Sequence, residues 1–170
     1  MLNIENSVAV ITGGGSGIGR ALAEFWLRRG GKVVIADIAQ EPLSAAEAEL
    51  RQISEAVTSV CCNVTLEADC EKLADHAIAT FGAINLVAPF AGITSDAMMI
   101  KTDRDTGKVT GKMSLAQFQK VIDINLTGVF LTIRECVERM INNNCTGLIC
   151  LVSSTGSLGT AGQINYASSK

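Results

Sequence analysis

The glycine-rich stretch at residues 12–19 constrains the fold of this chain more than any other feature. Its sequence is TGGGSGIG; it follows a short apolar run and precedes a stretch with the apolar spacing of a helix. Glycines let a backbone turn sharply and approach a ligand closely, and a helix N-terminus offers free N–H groups with partial positive charge. Tight turns alone produce similar strings, but a position between a strand and a helix favours a dinucleotide site. The residues predicted to hold the dinucleotide here are Gly13, Gly15, Ser16, Gly17, Ile18 and Gly19.

Short apolar runs rich in Val and Ile alternate with helical patterns along the chain. Strands are predicted at residues 8–12, 32–36, 57–62, 84–88 and 148–153, and helices at residues 17–29, 42–54, 66–81 and 114–142. This alternation predicts right-handed crossovers and an α/β fold with a five-stranded, doubly wound parallel sheet, the Rossmann fold. A chain of 170 residues has room for one such domain, and we predict a single domain over residues 1–170.

One long segment, residues 92–112, is expected to be irregular because it is polar and rich in Thr, Asp, Lys and Gly. It leaves the carboxyl end of the fourth predicted strand, where ligands of open α/β sheets bind. A capping box, Ser114 with Gln117, then predicts where the last helix begins.

The composition excludes several classes of function. The net charge is −3 and the basic residues form no cluster, so no nucleic-acid partner is predicted. No apolar run is long enough to span a bilayer and the first residues lack a signal-peptide pattern, so no membrane partner is predicted. The six cysteines show no C-x-x-C spacing, which favours free buried thiols in a reducing cytoplasm. The single histidine, His76, has no neighbouring ligand set, so no metal site is predicted.

Two strand ends carry candidate contacts to the adenosine half of a dinucleotide. Asp37 ends the second strand, eighteen residues after Gly19. A carboxylate there can accept hydrogen bonds from ribose hydroxyls and would repel a 2′-phosphate, which favours NAD over NADP; a solvated strand-end aspartate is the alternative. Asn63 and Val64 follow the third strand and can meet an adenine edge, although a turn-forming asparagine explains Asn63 almost as well.

Polar residues further along the chain predict proton chemistry. Tyr166 and Lys170 are four residues apart, which puts phenol and ammonium on one face if the segment is helical. A neighbouring cation favours the phenolate form of a tyrosine that acts as acid or base. Ser153 and Ser154 end the fifth strand and offer a hydroxyl beside the same pocket. Asn125 interrupts the apolar stripe of the last helix, so its amide points inward, either as part of the site or bonded structurally to backbone.

Together these motifs resemble the short-chain dehydrogenase/reductase family over all 170 residues. TGGGSGIG matches the family's TGxxxGxG, NLTG at residues 125–128 matches its asparagine motif, and YASSK matches its YxxxK. The segments CNVT, AGIT, NLTGVF and GQINYASSK further resemble bacterial 3-oxoacyl-[acyl-carrier-protein] reductases. The resemblance implies a cytoplasmic oxidoreductase that uses NAD, with NADP less favoured, and reduces a 3-oxoacyl thioester or similar small carbonyl compound. It also implies a homo-oligomer, a dimer or a tetramer.

The resemblance gives the polar residues their roles. It implies that Tyr166 gives a proton to the substrate carbonyl oxygen, and that Lys170 favours the phenolate and holds the nicotinamide ribose. Asn125 is implied to anchor a water in the proton relay. Ala91 and Gly92, which match the family's AG after the fourth strand, are assigned to the cofactor site.

The serine that polarises the carbonyl has two candidates. Counting along the strand from Gly147, as in the family's pattern, selects Ser154, whereas the commonest family spacing back from the tyrosine selects Ser153. We favour Ser154 because strand register is harder to shift than loop length.

Two departures from the family pattern affect these expectations. The family's NNAG becomes PFAG at residues 89–92, which loses an asparagine that steadies the central sheet and is expected to lower local rigidity. The chain also stops at Lys170, where family members continue through two further strands and a substrate-covering loop, so the resemblance implies a domain that is incomplete at its C-terminus. An inactive nucleotide-binding fragment or scaffold is therefore the alternative function.

Overall fold

The computed structural model of the protein describes residues 3–170, which form two compact units. The sheet unit comprises the described residues up to Ala91 together with Gly128–Leu151. The loop–helix unit comprises Gly92–Thr127 and Val152–Lys170. A single domain over residues 1–170 stays a prediction.

The elements alternate along the chain much as the sequence predicts. In chain order they are β1 (Val8–Thr12), α1 (Gly17–Leu27), β2 (Lys32–Asp37), α2 (Gln40–Arg51), β3 (Val57–Cys61), α3 (Glu67–Phe81), β4 (Leu86–Pro89), β5 (Ile100–Thr102), β6 (Val109–Lys112), α4 (Leu115–Ile122), a π-helical turn (Asp123–Thr127), α5 (Gly128–Asn142), β7 (Leu148–Ile149), a 3₁₀ turn (Thr155–Leu158) and α6 (Ile164–Ser169).

The sheet unit contains five parallel strands in the order β3-β2-β1-β4-β7, which confirms the predicted α/β fold. In the register of the central strands, Val10 lies opposite both Val34 and Val87. Every residue of β1 is buried, since strands flank it on both sides and helices cover the sheet. A strand buried on both faces is mostly apolar, which is why the runs of Val and Ile predict the sheet well.

Helix α1 fixes the first crossover to this sheet. Its residues Ala23, Trp26 and Leu27 join the apolar core with residues of β1 and β2. The indole Nε1–H of Trp26 donates to the Ser7 carbonyl at 3.2 Å, so the one polar group of this side chain is satisfied. The N-terminus of α1 is therefore held at the carboxyl end of β1, where the glycine-rich turn lies.

Strand β7 is shorter than the predicted strand at residues 148–153. Leu148 and Ile149 pair with β4, and the Cys150 N–H adds one hydrogen bond to the Val87 carbonyl at 2.9 Å. The neighbouring strand ends at Pro89, which has no N–H to continue a ladder. The departure of PFAG from the family pattern thus coincides with the point where strand pairing stops.

The predicted irregular segment at residues 92–112 is partly ordered, because β5 and β6 form an antiparallel hairpin in the loop–helix unit. Ile100 lies opposite Lys112, and the register shifts after Lys101. The Asp103 carboxylate closes the turn, since Oδ1 accepts from both the N–H and the hydroxyl of Thr106 at 2.8 Å. The hydrogen bond from the Thr106 N–H, followed by the one from its hydroxyl, lowers the pKa of Asp103. The sequence hides this hairpin because neither strand alternates apolar with polar residues.

The predicted helix at residues 114–142 is three consecutive helical segments, with a π-helical turn between α4 and α5. Its capping box is made only in part. The Ser114 hydroxyl accepts from the Gln117 N–H at 3.1 Å, as predicted. The Gln117 side chain instead donates to the carbonyl and hydroxyl of Ser95, at 3.1 and 3.2 Å. A partner distant in sequence therefore outcompetes the local bond.

All six cysteines are free, as predicted, but only Cys62, Cys70 and Cys136 are buried. Cys61 and Cys150 are exposed and Cys145 is half-buried. Among residues 3–170, no helix combines the length and apolarity needed to cross a membrane.

Candidate active site

The turn between β1 and α1 has the geometry of an anion cradle. Gly13 has a φ of 69°, and a Cβ on it would lie 2.9 Å from the Ala91 nitrogen, so only glycine fits there. A Cβ on Gly19 would lie 2.3 Å from the Gly13 carbonyl oxygen, so α1 starts in direct contact with the turn. The close approach of helix and strand requires both glycines.

The N-terminus of α1 is available to a ligand. Within the described part of the chain, the Ser16 side chain makes no capping hydrogen bond to this helix. Apart from Gly17 itself, its two chain neighbours and the nearby backbone of α1, no atom of residues 3–170 lies within 4 Å of the place of a Cβ on Gly17. Ile18 is largely exposed. The first turn, GIGR, contains no acidic residue. The orphan N–H groups at the start of α1 and the helix dipole thus face no competing carboxylate of α1, which suits a pyrophosphate.

Asp37 lies half-buried at the end of β2 beside this turn. Its Oδ2 accepts from the Gly15 N–H at 3.2 Å and its Oδ1 from the Ala39 N–H at 3.3 Å. A Cβ on Gly15 would lie 3.0 Å from Oδ2, so the absence of a side chain there lets the carboxylate approach. The residues that follow, Ile38, Ala39 and Gln40, include no cation that could hold a 2′-phosphate.

The structure favours the turn-forming alternative for the Asn63 oxygen. Oδ1 accepts from the N–H and the hydroxyl of Thr65, at 3.1 and 2.8 Å, and the Asn63 N–H donates to Asp69 Oδ2 at 3.0 Å. The neighbouring side chain, Val64, is buried against α5, because a Cβ on Gly128 would lie 2.7 Å from its Cγ2. A contact between this turn and adenine stays a prediction, and Gly128 is a close-approach residue that the sequence analysis did not single out.

The segment after β4 divides between the two units. In the sheet unit, the Ala91 N–H donates to the Thr12 hydroxyl at 3.2 Å, which fixes Ala91 beside the glycine-rich turn. Phe90 is half-buried and packs against the apolar core. The loss of local rigidity expected from PFAG stays a prediction. Gly92 begins the loop–helix unit and is exposed.

In the loop–helix unit, α6 brings Tyr166 and Lys170 together. The Lys170 ammonium lies 5.7 Å from the centroid of the phenol ring and 3.5 Å from the Val152 carbonyl oxygen. The i, i+4 spacing therefore places both side chains on one face, as predicted. At this separation the cation acts on the ring through space.

Ser154 lies beside the phenol ring. A Cβ on Gly156 would lie 3.1 Å from Tyr166 Cε1 and 3.3 Å from Ser154 Oγ, so the ring and the hydroxyl border the same small space. Ser154 Oγ also accepts from the Gly156 N–H at 3.1 Å, which fixes its position at the start of the 3₁₀ turn. Ser153 is exposed. This proximity supports Ser154, and the choice between the two serines stays a prediction.

Asn125 is only 2% exposed, in the middle of the π-helical turn. Its Oδ1 accepts from the Ile93 N–H at 2.8 Å, and its Nδ2 donates to the Ile93 carbonyl at 2.9 Å and to Ser169 Oγ at 3.2 Å. The side chain points inward, as predicted, and its bonds to backbone match the structural interpretation. The water-anchoring role stays a prediction.

A separate cluster of three carboxylates, Glu67, Glu71 and Glu135, lies in the sheet unit with oxygens within 4.8 Å of one another. Buried Glu135 accepts from Arg134 Nε and from Arg139 Nη1, both at 2.7 Å. These arginines neutralise the buried carboxylate, so Glu135 belongs to an ion-pair network.

A parallel α/β sheet with a glycine-rich turn between β1 and α1 defines a Rossmann-type nucleotide-binding protein. The chain belongs to the short chain dehydrogenase family, whose sequence profile matches residues 7–170.

Relatives of similar identity to this chain carry names of different enzymes. The chain is 30% identical to the 3-oxoacyl-[acyl-carrier-protein] reductase of Thermotoga maritima, covering 99% of this chain and 64% of that one. It is also 30% identical to zerumbone synthase of Zingiber zerumbet, covering 99% of this chain and 60% of that one. The chain therefore spans somewhat less than two thirds of the length of these relatives.

Solved structures share the fold. A short chain dehydrogenase/reductase from Burkholderia phymatum in complex with NAD superimposes with a TM-score of 0.88 at 29% identity, covering 99% of this chain and 57% of that one. An NAD⁺-bound xylitol dehydrogenase superimposes with a TM-score of 0.85 at 26% identity, covering 99% and 61%.

Proposed function

We propose that the protein is a nicotinamide-dependent oxidoreductase that transfers a hydride between its cofactor and a carbonyl or alcohol substrate. The observation that carries this proposal is the pairing of Tyr166 with Lys170 on one face of α6, in a chain of the short chain dehydrogenase family. Ser154 beside the same ring adds a second hydroxyl that can polarise a carbonyl oxygen.

The residues of the sheet unit fit a dinucleotide. The uncapped N-terminus of α1 suits the pyrophosphate, with Gly13 and Gly19 allowing its close approach. Asp37 suits the free ribose hydroxyls of NAD and would repel the 2′-phosphate of NADP. We therefore assign NAD as the preferred cofactor, which is also the molecule bound in the two solved structures described above.

The proposed reaction uses four side chains besides the cofactor. The nicotinamide, when bound, supplies the hydride to the carbonyl carbon or accepts it from the alcohol. In the reducing direction the Tyr166 hydroxyl gives its proton to the carbonyl oxygen, and the Lys170 ammonium stabilises the resulting phenolate. Ser154 donates a hydrogen bond to the same oxygen. Asn125 is proposed to hold a water that returns a proton to Tyr166.

For the substrate we propose a 3-oxoacyl thioester or a similar small carbonyl compound. The name of the Thermotoga maritima relative supports this class, and the resemblance of GQINYASSK at residues 162–170 points the same way. The test is oxidation of NADH by the purified protein, followed by absorbance, with acetoacetyl-coenzyme A as the probe and a simple cyclic ketone beside it. Turnover of the ketone alone would replace the thioester by another carbonyl class. Binding of NADH without turnover of any carbonyl would support the alternative, a nucleotide-binding protein without activity.

We further propose a homo-oligomer, a dimer or a tetramer, built through one face of α5. Phe130 and Ile141 are 56% and 70% exposed there, at helical spacing with half-buried Val137 between them. Large apolar side chains repeated along one helix face are typical of protein contacts. Light scattering coupled to size exclusion measures the assembly directly, and a monomeric mass at micromolar concentration would contradict the proposal.

A further inference from the structure

Helix α6 is held by a short segment distant in sequence, residues 93–97, which we name the brace. The Ala97 N–H donates to the Gly162 carbonyl at 2.8 Å, just before the helix begins. Asn165 Nδ2 donates to the Ser95 carbonyl at 2.9 Å from within the helix. The other end of the brace is fixed by Asn125, which bonds both backbone groups of Ile93. The brace therefore links the π-helical turn to the helix that carries Tyr166 and Lys170.

Asn165 bonds the backbone N–H of Tyr166 as well as the brace. It is 0% exposed, and its Oδ1 accepts from the Tyr166 N–H at 2.9 Å. The N–H groups in the first turn of a helix have no partner within the helix, and Gln163 provides no side-chain cap for α6. One amide side chain thus satisfies an orphan donor at Tyr166 and ties that position to Ser95.

We propose that Asn165 is a positioning residue for Tyr166, acting through the hydrogen bond to the Tyr166 N–H and the hydrogen bond to the brace. The inference rests on the proposed function, in which Tyr166 transfers the proton. It adds a residue that touches neither substrate nor cofactor in that scheme. An amide suits the task because it offers a donor and an acceptor at once, whereas a carboxylate lacks the donor and an alkyl side chain lacks both.

Two variants separate the two hydrogen bonds. Asn165→Leu keeps the approximate volume and loses both bonds, whereas Asn165→Asp keeps the acceptor for the Tyr166 N–H and loses the donor to Ser95. We expect kcat to fall about tenfold to a hundredfold in Asn165→Leu and by less in Asn165→Asp, because small misplacements of a reacting group cost rates of this order. The KM for NADH should stay within about twofold, because the residues assigned to the cofactor's pyrophosphate and adenosine ribose lie in the sheet unit.

Two further readouts distinguish positioning from general damage. The pH profile of kcat should change in Asn165→Leu, because it reports the surroundings of the proton donor. Amide hydrogen exchange at Tyr166, followed by NMR, should speed up in the same variant. Gln117→Leu removes the other side-chain donor to the Ser95 carbonyl without touching Tyr166, and should leave the pH profile in place. Ser168→Ala, which removes an exposed bond to the Ile164 carbonyl on the same helix, is the matched control and should behave as wild type.

Each outcome bears on a stated claim. Wild-type kcat, pH profile and Tyr166 exchange in both Asn165 variants would overturn the inference. If Asn165→Leu fails to give a cooperative melt, Asn165→Asp decides the matter with the same readouts. If wild-type protein turns over no carbonyl compound, the proposed function fails, and the exchange rate at Tyr166 still shows whether Asn165 fixes this residue.

Discussion

The Gly15 N–H donates to Oδ2 of Asp37 at 3.2 Å, so the glycine-rich turn and the end of β2 are joined by a single carboxylate. The other oxygen of Asp37 accepts from the Ala39 N–H at 3.3 Å. Because each carboxylate oxygen can accept a further hydrogen bond, the side chain is oriented by the protein and still able to receive ribose hydroxyls. This contact makes Asp37 both a structural partner of the turn and the proposed source of cofactor preference.

Replacing the carboxylate should relax that preference. We expect Asp37→Ala to raise the ratio of NADPH to NADH affinity by roughly tenfold or more, because the charge that repels a 2′-phosphate is gone. Fluorescence titration of wild type and variant with both cofactors measures the ratio. Asp105→Ala removes an exposed carboxylate of the hairpin turn and serves as the control, with an unchanged ratio. Tighter binding of NADPH than NADH by wild type would contradict the assignment of NAD.

Removing the phenol hydroxyl should abolish most of the proton transfer. We expect Tyr166→Phe to lower kcat by about 10²–10⁴, the usual contribution of a positioned acid or base. The Kd for NADH should change little, because in our proposal the hydroxyl takes part in proton transfer. Steady-state kinetics and NADH titration on the same preparation separate the two effects. Turnover within tenfold of wild type would remove Tyr166 from the mechanism.

The two serines can be separated by paired substitutions. Ser154→Ala should lower kcat by roughly 10² or more, by analogy with loss of one donor to a developing oxyanion, whereas Ser153→Ala should have a much smaller effect. The reason is that Ser154 Oγ and the Tyr166 ring both lie next to Gly156. The reverse order of the two effects would assign the role to Ser153 and show that the strand count from Gly147 is wrong by one residue.

The sheet could be predicted from the sequence because burial on both faces leaves little choice of residue. β1 and β2 are almost wholly apolar, and the glycine-rich turn fixes which strand comes first. The length of β7 could not be predicted from its own residues, since pairing stops where Pro89 in the neighbouring strand lacks an N–H. The π-helical turn has no signal of its own in the sequence, and Asn125 within it bonds Ile93, 32 positions away.

In the candidate site, too, contacts between residues close in sequence could be predicted and contacts between distant residues could not. The approach of Lys170 to Tyr166 depends only on helical spacing, so the sequence predicts it. The contacts of Asn165 depend on where Ser95 lies, and the closeness of Gly156 to the ring depends on how the 3₁₀ turn packs. Neither residue carries a local signal of its role. Asn63 shows the opposite case, because a local turn to Thr65 accounts for the side-chain oxygen that the sequence offers either to adenine or to a turn.

The buried thiol of Cys136 should make stability fall in alkaline solution. Burial raises the pKa of Cys136 to about 12, from an ordinary value of 9.0. Between these values the unfolded chain loses the thiol proton and the folded chain keeps it. The contribution of this thiol to the unfolding free energy is therefore complete below pH 9 and is lost as the pH rises towards 12.

We expect wild type to lose up to about 1.4 kcal/mol of unfolding free energy per pH unit more than Cys136→Ala over this window. Urea unfolding at a series of pH values measures the difference. Cys61→Ala, which removes an exposed thiol, is the control, and parallel curves for wild type and Cys136→Ala would contradict the prediction.

In the glycine-rich turn between β1 and α1, Gly19, which contacts Gly13, should tolerate an added side chain least. A methyl group on Gly19 would lie 2.3 Å from the Gly13 carbonyl oxygen, and a backbone atom cannot rotate away as a side chain can. Helix α1 must therefore shift or the turn must open in Gly19→Ala, and such overpacking costs about 1–3 kcal/mol of unfolding free energy. The same shift moves the N–H groups proposed to bind the pyrophosphate, so the Kd for NADH should rise by at least about tenfold.

Gly111→Ala is the matched control, because its new methyl group would have Lys101 Cβ at 3.9 Å as its nearest contact, in the hairpin of the other unit. Calorimetry and NADH titration of both variants give the two quantities. If Gly19→Ala bound NADH like wild type and Gly111→Ala, the turn would not be the site that holds the pyrophosphate.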